Sequence, residues 1–112
     1  MRRRLTRSAD FDAVYRSGRS RSSRHLVVYL FPRPDGEEAR LGVTVPRKVS
    51  GAVDRNRLKR QIREAFARLG ADAARGSDVA VVVRPGLAEA IDSNGFEWLV
   101  AELATLIEAE PE

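Results

Sequence analysis

The sequence predicts a single α/β domain of the two-layer α+β kind, with elements in the order α-β-β-α-β-α around a small mixed sheet. Three observations predict it. The stretch from Ala52 to Leu69 carries apolar residues at helical spacing. Three separate runs, two before it and one after, are short, β-rich and bounded by turn residues. The chain of 112 residues is long enough for one hydrophobic core and too short for two, so residues 1–112 read as one domain.

The elements follow in order. Met1-Arg2-Arg3-Arg4-Leu5-Thr6-Arg7 is basic but lacks the apolar run and cleavage site of a signal peptide, so residues 1–7 are expected to be a flexible tail at a mature N-terminus. Ser8 is placed to cap a short helix, with Asp10 in its first turn, Phe11, Val14 and Tyr15 at i, i+3, i+4, and Gly18 to end it. The basic, apolar-free segment Arg16 to Arg24 must then be loop or strand edge. Leu26 to Phe31 is a continuous β-rich run closed by Pro32-Arg33-Pro34-Asp35-Gly36. Leu41, Val43 and Val45 alternate with Arg40, Gly42 and Thr44 up to Pro46, the pattern of a half-buried strand. These two runs predict an antiparallel hairpin.

On the long helix, Leu58, Ile62, Ala65, Phe66 and Leu69 form one stripe, and Gly70 stops it. Val79 to Val83, entered through Asp78, is uninterrupted, as in a strand covered on both faces, and the preceding helix makes it parallel to an earlier strand. Asn94 and Glu97 have the spacing of a capping box opening a last helix with Phe96, Leu99, Val100, Leu103, Leu106 and Ile107. Its acidic end, residues 108–112 with Glu108, Glu110 and Glu112, opposes the helix dipole and is expected to fray.

Composition narrows the function. An apolar share of 43% with 32% charged residues is too apolar for disorder and too charged for a membrane protein. No run approaches the ~18 apolar residues of a membrane span. The absence of cysteine excludes disulfides, thiolate metal sites and a cysteine nucleophile, and fits the cytoplasm. The net charge of +4 conceals an asymmetry: residues 1–68 hold 18 Arg/Lys and 7 Asp/Glu, residues 69–112 only 2 against 9. Positive charge concentrated in this way attracts polyanions. Only Lys48 and Lys59 are lysines, and arginine's planar fork favours phosphate and base contacts, hence nucleic acid.

The density of cations peaks on the long helix. With Leu58 at 0° and 100° per residue, the apolar stripe spans about −20° to +80°, while Lys59, Arg63, Asn56 and Arg60 span about 100° to 200°. Arg55 and Arg57 flank them, and Arg47, Lys48 and Gly51 precede the helix. A merely solvated face would mix its signs, whereas here, past Asp54 at the helix start, Glu64 alone offsets the repulsion inside the helix. The carboxylates elsewhere form no acid/base pair and cluster late in the chain, which argues against a self-sufficient metal-dependent nuclease. No catalytic residue and no metal ligand is therefore assigned. His25 has no partner set for metal or catalysis and reads as a structural residue, and Trp98 as a boundary packing residue.

Gly51-Ala52-Val53-Asp54-Arg55-Asn56-Arg57-Leu58-Lys59-Arg60-Gln61-Ile62-Arg63-Glu64 resembles the signature of the bacterial ribonuclease P protein family. Arg4-Leu5, Asp10-Phe11 with Val14-Tyr15, the basic loop after Gly18, Arg40-Leu41-Gly42 and the Asp78 strand fall in the family's order, so the resemblance covers roughly residues 2–107. It implies a protein that assists a catalytic RNA subunit in removing the 5′ leader of precursor tRNA, with Mg2+ held mainly by RNA. It implies that Arg55, Asn56, Arg57, Lys59, Arg60 and Arg63 contact the RNA subunit, with Arg47 and Lys48 on the same surface. Phe11, Tyr15 and Tyr29 match the family's leader-binding cleft, where aromatic rings stack on unpaired bases. By spacing alone Phe11 and Tyr15 would read as core. A left-handed βαβ crossover is implied by the resemblance only. The partners implied are the RNA subunit and precursor tRNA, with no membrane and no protein partner required.

Two positions depart from the family. Pro46-Arg47-Lys48 stands where Ser-Lys-Lys is usual, losing a donor at Pro46, and Asp54 precedes Arg55 where the family mostly has a neutral residue, a candidate helix N-cap. The alternatives are a non-catalytic ribosome- or structured-RNA-binding module and, less well matched, a helix-turn-helix DNA binder, which would need a partner helix before the basic one.

Overall fold

The aliphatic runs of the chain assemble into one mixed sheet, with helices laid against one face of it. The computed structural model describes residues 3–4, 19–33, 37–48 and 52–108. Their elements are β1 (Arg3–Arg4), β2 (Arg19–Ser22), β3 (Leu26–Pro32), β4 (Arg40–Thr44), α1 (Ala52–Arg68), β5 (Ser77–Val83), α2 (Leu87–Asn94) and α3 (Phe96–Glu108). The expected first helix, with Phe11 and Tyr15, lies outside the described residues, as do residues 109–112 of the acidic end; Glu108 closes α3.

The strand order is β1-β4-β5-β3-β2. The expected hairpin between the two early runs does not form. β5 lies between them, antiparallel to β3 and parallel to β4. The physical reason is burial: the Val79–Val83 run has the least polar surface to lose and takes the central position, while β4 joins it in parallel through α1. The expected flexible tail is also corrected at its centre, because Arg3 and Arg4 pair in parallel with Arg40 and Leu41. The basic segment after Gly18 is a strand edge as read, its Arg19–Ser22 pairing antiparallel to β3. Both outer strands are thus rich in arginine.

Alternation divides each strand between two faces. Leu26, Val28, Leu41, Val43, Val79, Val81 and Val83 point into the main core, where they meet Leu58, Ile62 and Phe66 of α1 and Leu99 and Leu103 of α3. On the other face, Tyr29 and Phe31 pack with Ala80 in a separate cluster. Register continues that face outward, with Ser20 opposite Tyr29, and Gly42 opposite Ala80.

Asp78 also lies on this second face, in register with Phe31 and Arg40. It is buried, and it survives burial because two guanidinium groups surround it: Arg40 Nε and Nη2 donate to Oδ1 and Oδ2 at 2.7 and 2.6 Å, and Arg33 Nη1 donates to Oδ1 at 2.9 Å. Arg33 Nη2 also donates to the Glu38 carbonyl at 3.1 Å. Burial pushes the carboxyl toward its neutral form, and the Arg40 and Arg33 donors overcome that push and hold it below the usual carboxylate range.

The late region differs most from expectation. Leu87 to Asn94 form an additional helix, entered through Gly86 at φ 95°, with Leu87 and Ile91 buried at i, i+4. Asn94 ends that helix instead of opening the next. Its Nδ2 donates back to the Ala90 carbonyl at 2.9 Å, while Glu97 pairs with Arg68 at 2.7 Å, so the capping box is not formed. Likewise Asp54 is the third residue of α1 and not its cap, although an acid in the first turn still suits the helix dipole.

Candidate nucleic-acid interface

The apolar stripe of α1 fixes how the helix is turned. Leu58, Ile62, Ala65 and Phe66 are all fully buried, so the residues roughly opposite them must face outward. Asn56 and Arg60 are exposed, and Arg55, Arg57, Lys59 and Arg63 are half-buried. Arg47 and Lys48 are exposed in the turn that follows β4. Asn56, Lys59, Arg60 and Arg63 thus share the outward side of α1, Arg57 turns toward α2, and Arg47 and Lys48 lie in the turn before the helix.

One carboxylate that sequence reading left out enters this region. Asp92 of α2 lies 3.4 Å from Nη2 of Arg57. The contact is long and exposed and offsets little, yet it shows that the late acids are not wholly separate from the basic helix. Only the helical pair Leu87 and Ile91 after Pro85-Gly86 could have signalled that α2 exists and brings Asp92 here. On the same flank, Arg57 Nε and Gln61 Oε1 are buried with no hydrogen-bond partner among the described residues. Glu64 is exposed, beside Ala67, Arg68 and Phe96, with the Arg68 guanidinium 5.8 Å from the Phe96 ring centroid.

Tyr29 is not part of that surface. It stands half-buried on the opposite face of the sheet, directed away from the main core. Around it stand Ser20, Ala80 and Gly42; Ala80 and Gly42 are buried, so the accessible part of this face is Ser20 with the half-buried rings of Tyr29 and Phe31. Such a face suits stacking of unpaired bases better than entry of a duplex. Phe11 and Tyr15, matched to the same cleft, lie outside the described residues.

His25 is half-buried at the start of β3, its ring edge-on to Trp98 with centroids 5.8 Å apart and planes at 75°. It is a packing residue there, and Trp98 packs at the margin of the core as read. Among the described residues no three His, Asp or Glu side chains gather as a group able to hold a metal ion. No described helix is long and apolar enough to cross a membrane.

This arrangement has close counterparts. A family model described as Ribonuclease P matches residues 1–109. The ribonuclease P protein component of Bacillus pumilus is 36% identical over 88 residues, covering 79% of this chain and 74% of that protein. The solved RNase P protein of Thermotoga maritima superposes with a TM-score of 0.85 at 31% identity, covering 99% of this chain and 100% of that one. That of Staphylococcus aureus gives 0.79 at 28% identity, covering 96% and 94%.

Proposed function

The chain belongs to the ribonuclease P protein family and is the protein subunit of that tRNA-processing ribonucleoprotein; from that premise we propose that it works through two RNA-binding surfaces on opposite sides of its sheet. The first is the outward face of α1, where Arg55, Asn56, Arg57, Lys59, Arg60 and Arg63, extended by Arg47 and Lys48, neutralise phosphates of the RNA subunit. The second is the face carrying Tyr29, joined by Phe11 and Tyr15, which holds the single-stranded 5′ leader of precursor tRNA by stacking.

The observation that carries this reading is the segregation of chemistry across the sheet. Clustered cations occupy the α1 layer, while the other face carries Tyr29 and Phe31 beside small residues, its Arg40 and Arg33 being bound to Asp78. The side chains supply positive potential, donors and a stacking surface, all of which position RNA. On this reading hydrolysis falls to the RNA subunit, with Mg2+ held mainly there, as the family resemblance implies. The protein would raise affinity for the ion indirectly, by lowering repulsion between phosphates brought together. Its place of work is the cytoplasm.

The test is cleavage of a precursor tRNA bearing a 5′ leader, at low Mg2+, by a bacterial ribonuclease P RNA alone, by the protein alone and by both. Efficient cleavage at the mature 5′ end only in the mixture supports the reading. Binding of RNA without stimulation of cleavage counts against it.

A further inference from the structure

We propose that the crevice beyond the carboxyl ends of β4 and β5 is a pocket for one unpaired nucleotide of the RNA subunit, with Arg84 as its principal phosphate contact. The inference rests on the reading of α1 as the RNA-subunit surface and extends that surface onto the loop after β5.

Two parallel neighbouring strands open a crevice where their chains leave the sheet. Here β4 turns toward α1 through Pro46 and Lys48, and β5 turns toward α2 through Arg84 and Pro85. Together with Val83 these residues line an open cleft of about 310 Å³. That is at the low end of the range for small-molecule sites. It has room for a single base with its sugar and none for a duplex.

The lining is apolar, as suits the face of a base, and two cations stand beside it. Pro46, Pro85 and Val83 offer an apolar surface, and the two proline rings lose almost no side-chain freedom when a flat base lies on them. Lys48 and Arg84 are exposed, and neither meets a carboxylate among the described residues. Arg84 is also anchored. Its Nη1 donates to the Ser23 carbonyl at 3.1 Å and its backbone N–H to the His25 carbonyl at 2.9 Å, so the guanidinium is held across the loop after β2 with donors to spare. Beside it, the His25 ring lies 3.4 Å from where a Cβ on Gly86 would sit, and Trp98 backs His25 edge-on. This gives the Arg84 side of the crevice a packed support.

Lys48 belongs to both the crevice and the basic surface, which selects the RNA subunit over the precursor as the source of the nucleotide. Pro46 acquires a reason here. A serine at this position would donate a hydrogen bond, whereas proline gives up that donor and widens the apolar surface.

The test uses the full chain bound to a bacterial ribonuclease P RNA, with Arg84→Ala, Arg84→Lys and Pro46→Ser, each checked for native circular dichroism. Arg84→Ala is expected to weaken binding about tenfold. It should also flatten the dependence of log K on log salt by about 0.7 to 0.9, one phosphate's worth. Arg84→Lys should recover the salt slope but only part of the affinity, and Pro46→Ser should weaken binding a few-fold with no change in slope. Chemical probing of the RNA should show one unpaired nucleotide shielded by the wild-type protein and exposed again with Arg84→Ala and Pro46→Ser. The proposal is overturned if Arg84→Ala changes neither affinity nor slope, if no unpaired nucleotide changes its reactivity, or if only binding of leader-bearing precursor suffers. Failure of the wild-type protein to bind the RNA subunit would instead remove the reading of α1 on which the pocket depends.

Discussion

Arg40 holds Asp78 with two arms of one guanidinium, Nε on Oδ1 and Nη2 on Oδ2, joining the first residue of β4 to β5 across the centre of the sheet. Arg33 completes the pair from the end of β3, so one buried carboxylate ties three strands. Asp78→Asn leaves two guanidinium groups facing a neutral amide in a dry site and is expected to cost about 3 kcal/mol. Urea titration at neutral pH measures it.

The same carboxylate sets an acid limit. Its folded pKa is depressed, so its stabilisation is complete above the ordinary aspartate value of 3.8 and is lost as pH falls from there through the lower folded value. Between neutral pH and about pH 3, the unfolding free energy of the wild type should therefore drop more steeply than that of Asp78→Asn. Parallel curves would show that the ion pairs do not respond to this titration.

The two proposed RNA surfaces make opposite predictions. Arg60→Ala and Arg63→Ala should each weaken assembly with the RNA subunit and lower the salt slope by about 0.7 to 0.9, while leaving discrimination between leader-bearing and leaderless tRNA intact. Tyr29→Ala should weaken binding of leader-bearing precursor by about 1–3 kcal/mol and spare leaderless tRNA. Equilibrium binding with both substrates separates the cases, and identical behaviour of the mutants would merge the surfaces into one.

The turn between α2 and α3 depends on Gly95, at φ 93° and ψ 168°, a conformation that side chains disfavour strongly. A Cβ there would meet nothing within 4 Å, so Gly95→Ala should show the backbone cost alone, about 2 kcal/mol. Thermal unfolding of this variant measures it.

What was legible in the sequence was what periodicity controls. The stripe from Leu58 to Phe66 gave the helix and its buried side, and with them the outward position of Asn56, Lys59, Arg60 and Arg63. The aliphatic run at Val79 gave a parallel partner for an earlier strand. Strand neighbours were not legible, because a run of apolar residues records that it is buried and not what lies beside it. Hence β3 and β4 read as a hairpin, whereas β5 lies between them. Asn94 misled for a different reason: its amide can serve an N-cap or bond back to the preceding turn, and the short helix before it, with only Leu87 and Ile91 as apolar anchors, was too brief to reveal which. The Asp78 cluster joins residues far apart in the chain, so no local pattern announced it.

The exposed arginine on the outer strand β2 bears on how the protein behaves before it finds its RNA. An open sheet ends in rows of unused amide groups that invite another chain to add on and grow a fibril. Here a second copy approaching β2 meets Arg19, which is exposed on that strand. Like charges would face each other at every such encounter. Newly made protein is therefore kept apart from its own kind at the β2 edge, and a polyanion finds that edge attractive for the reason that another copy does not.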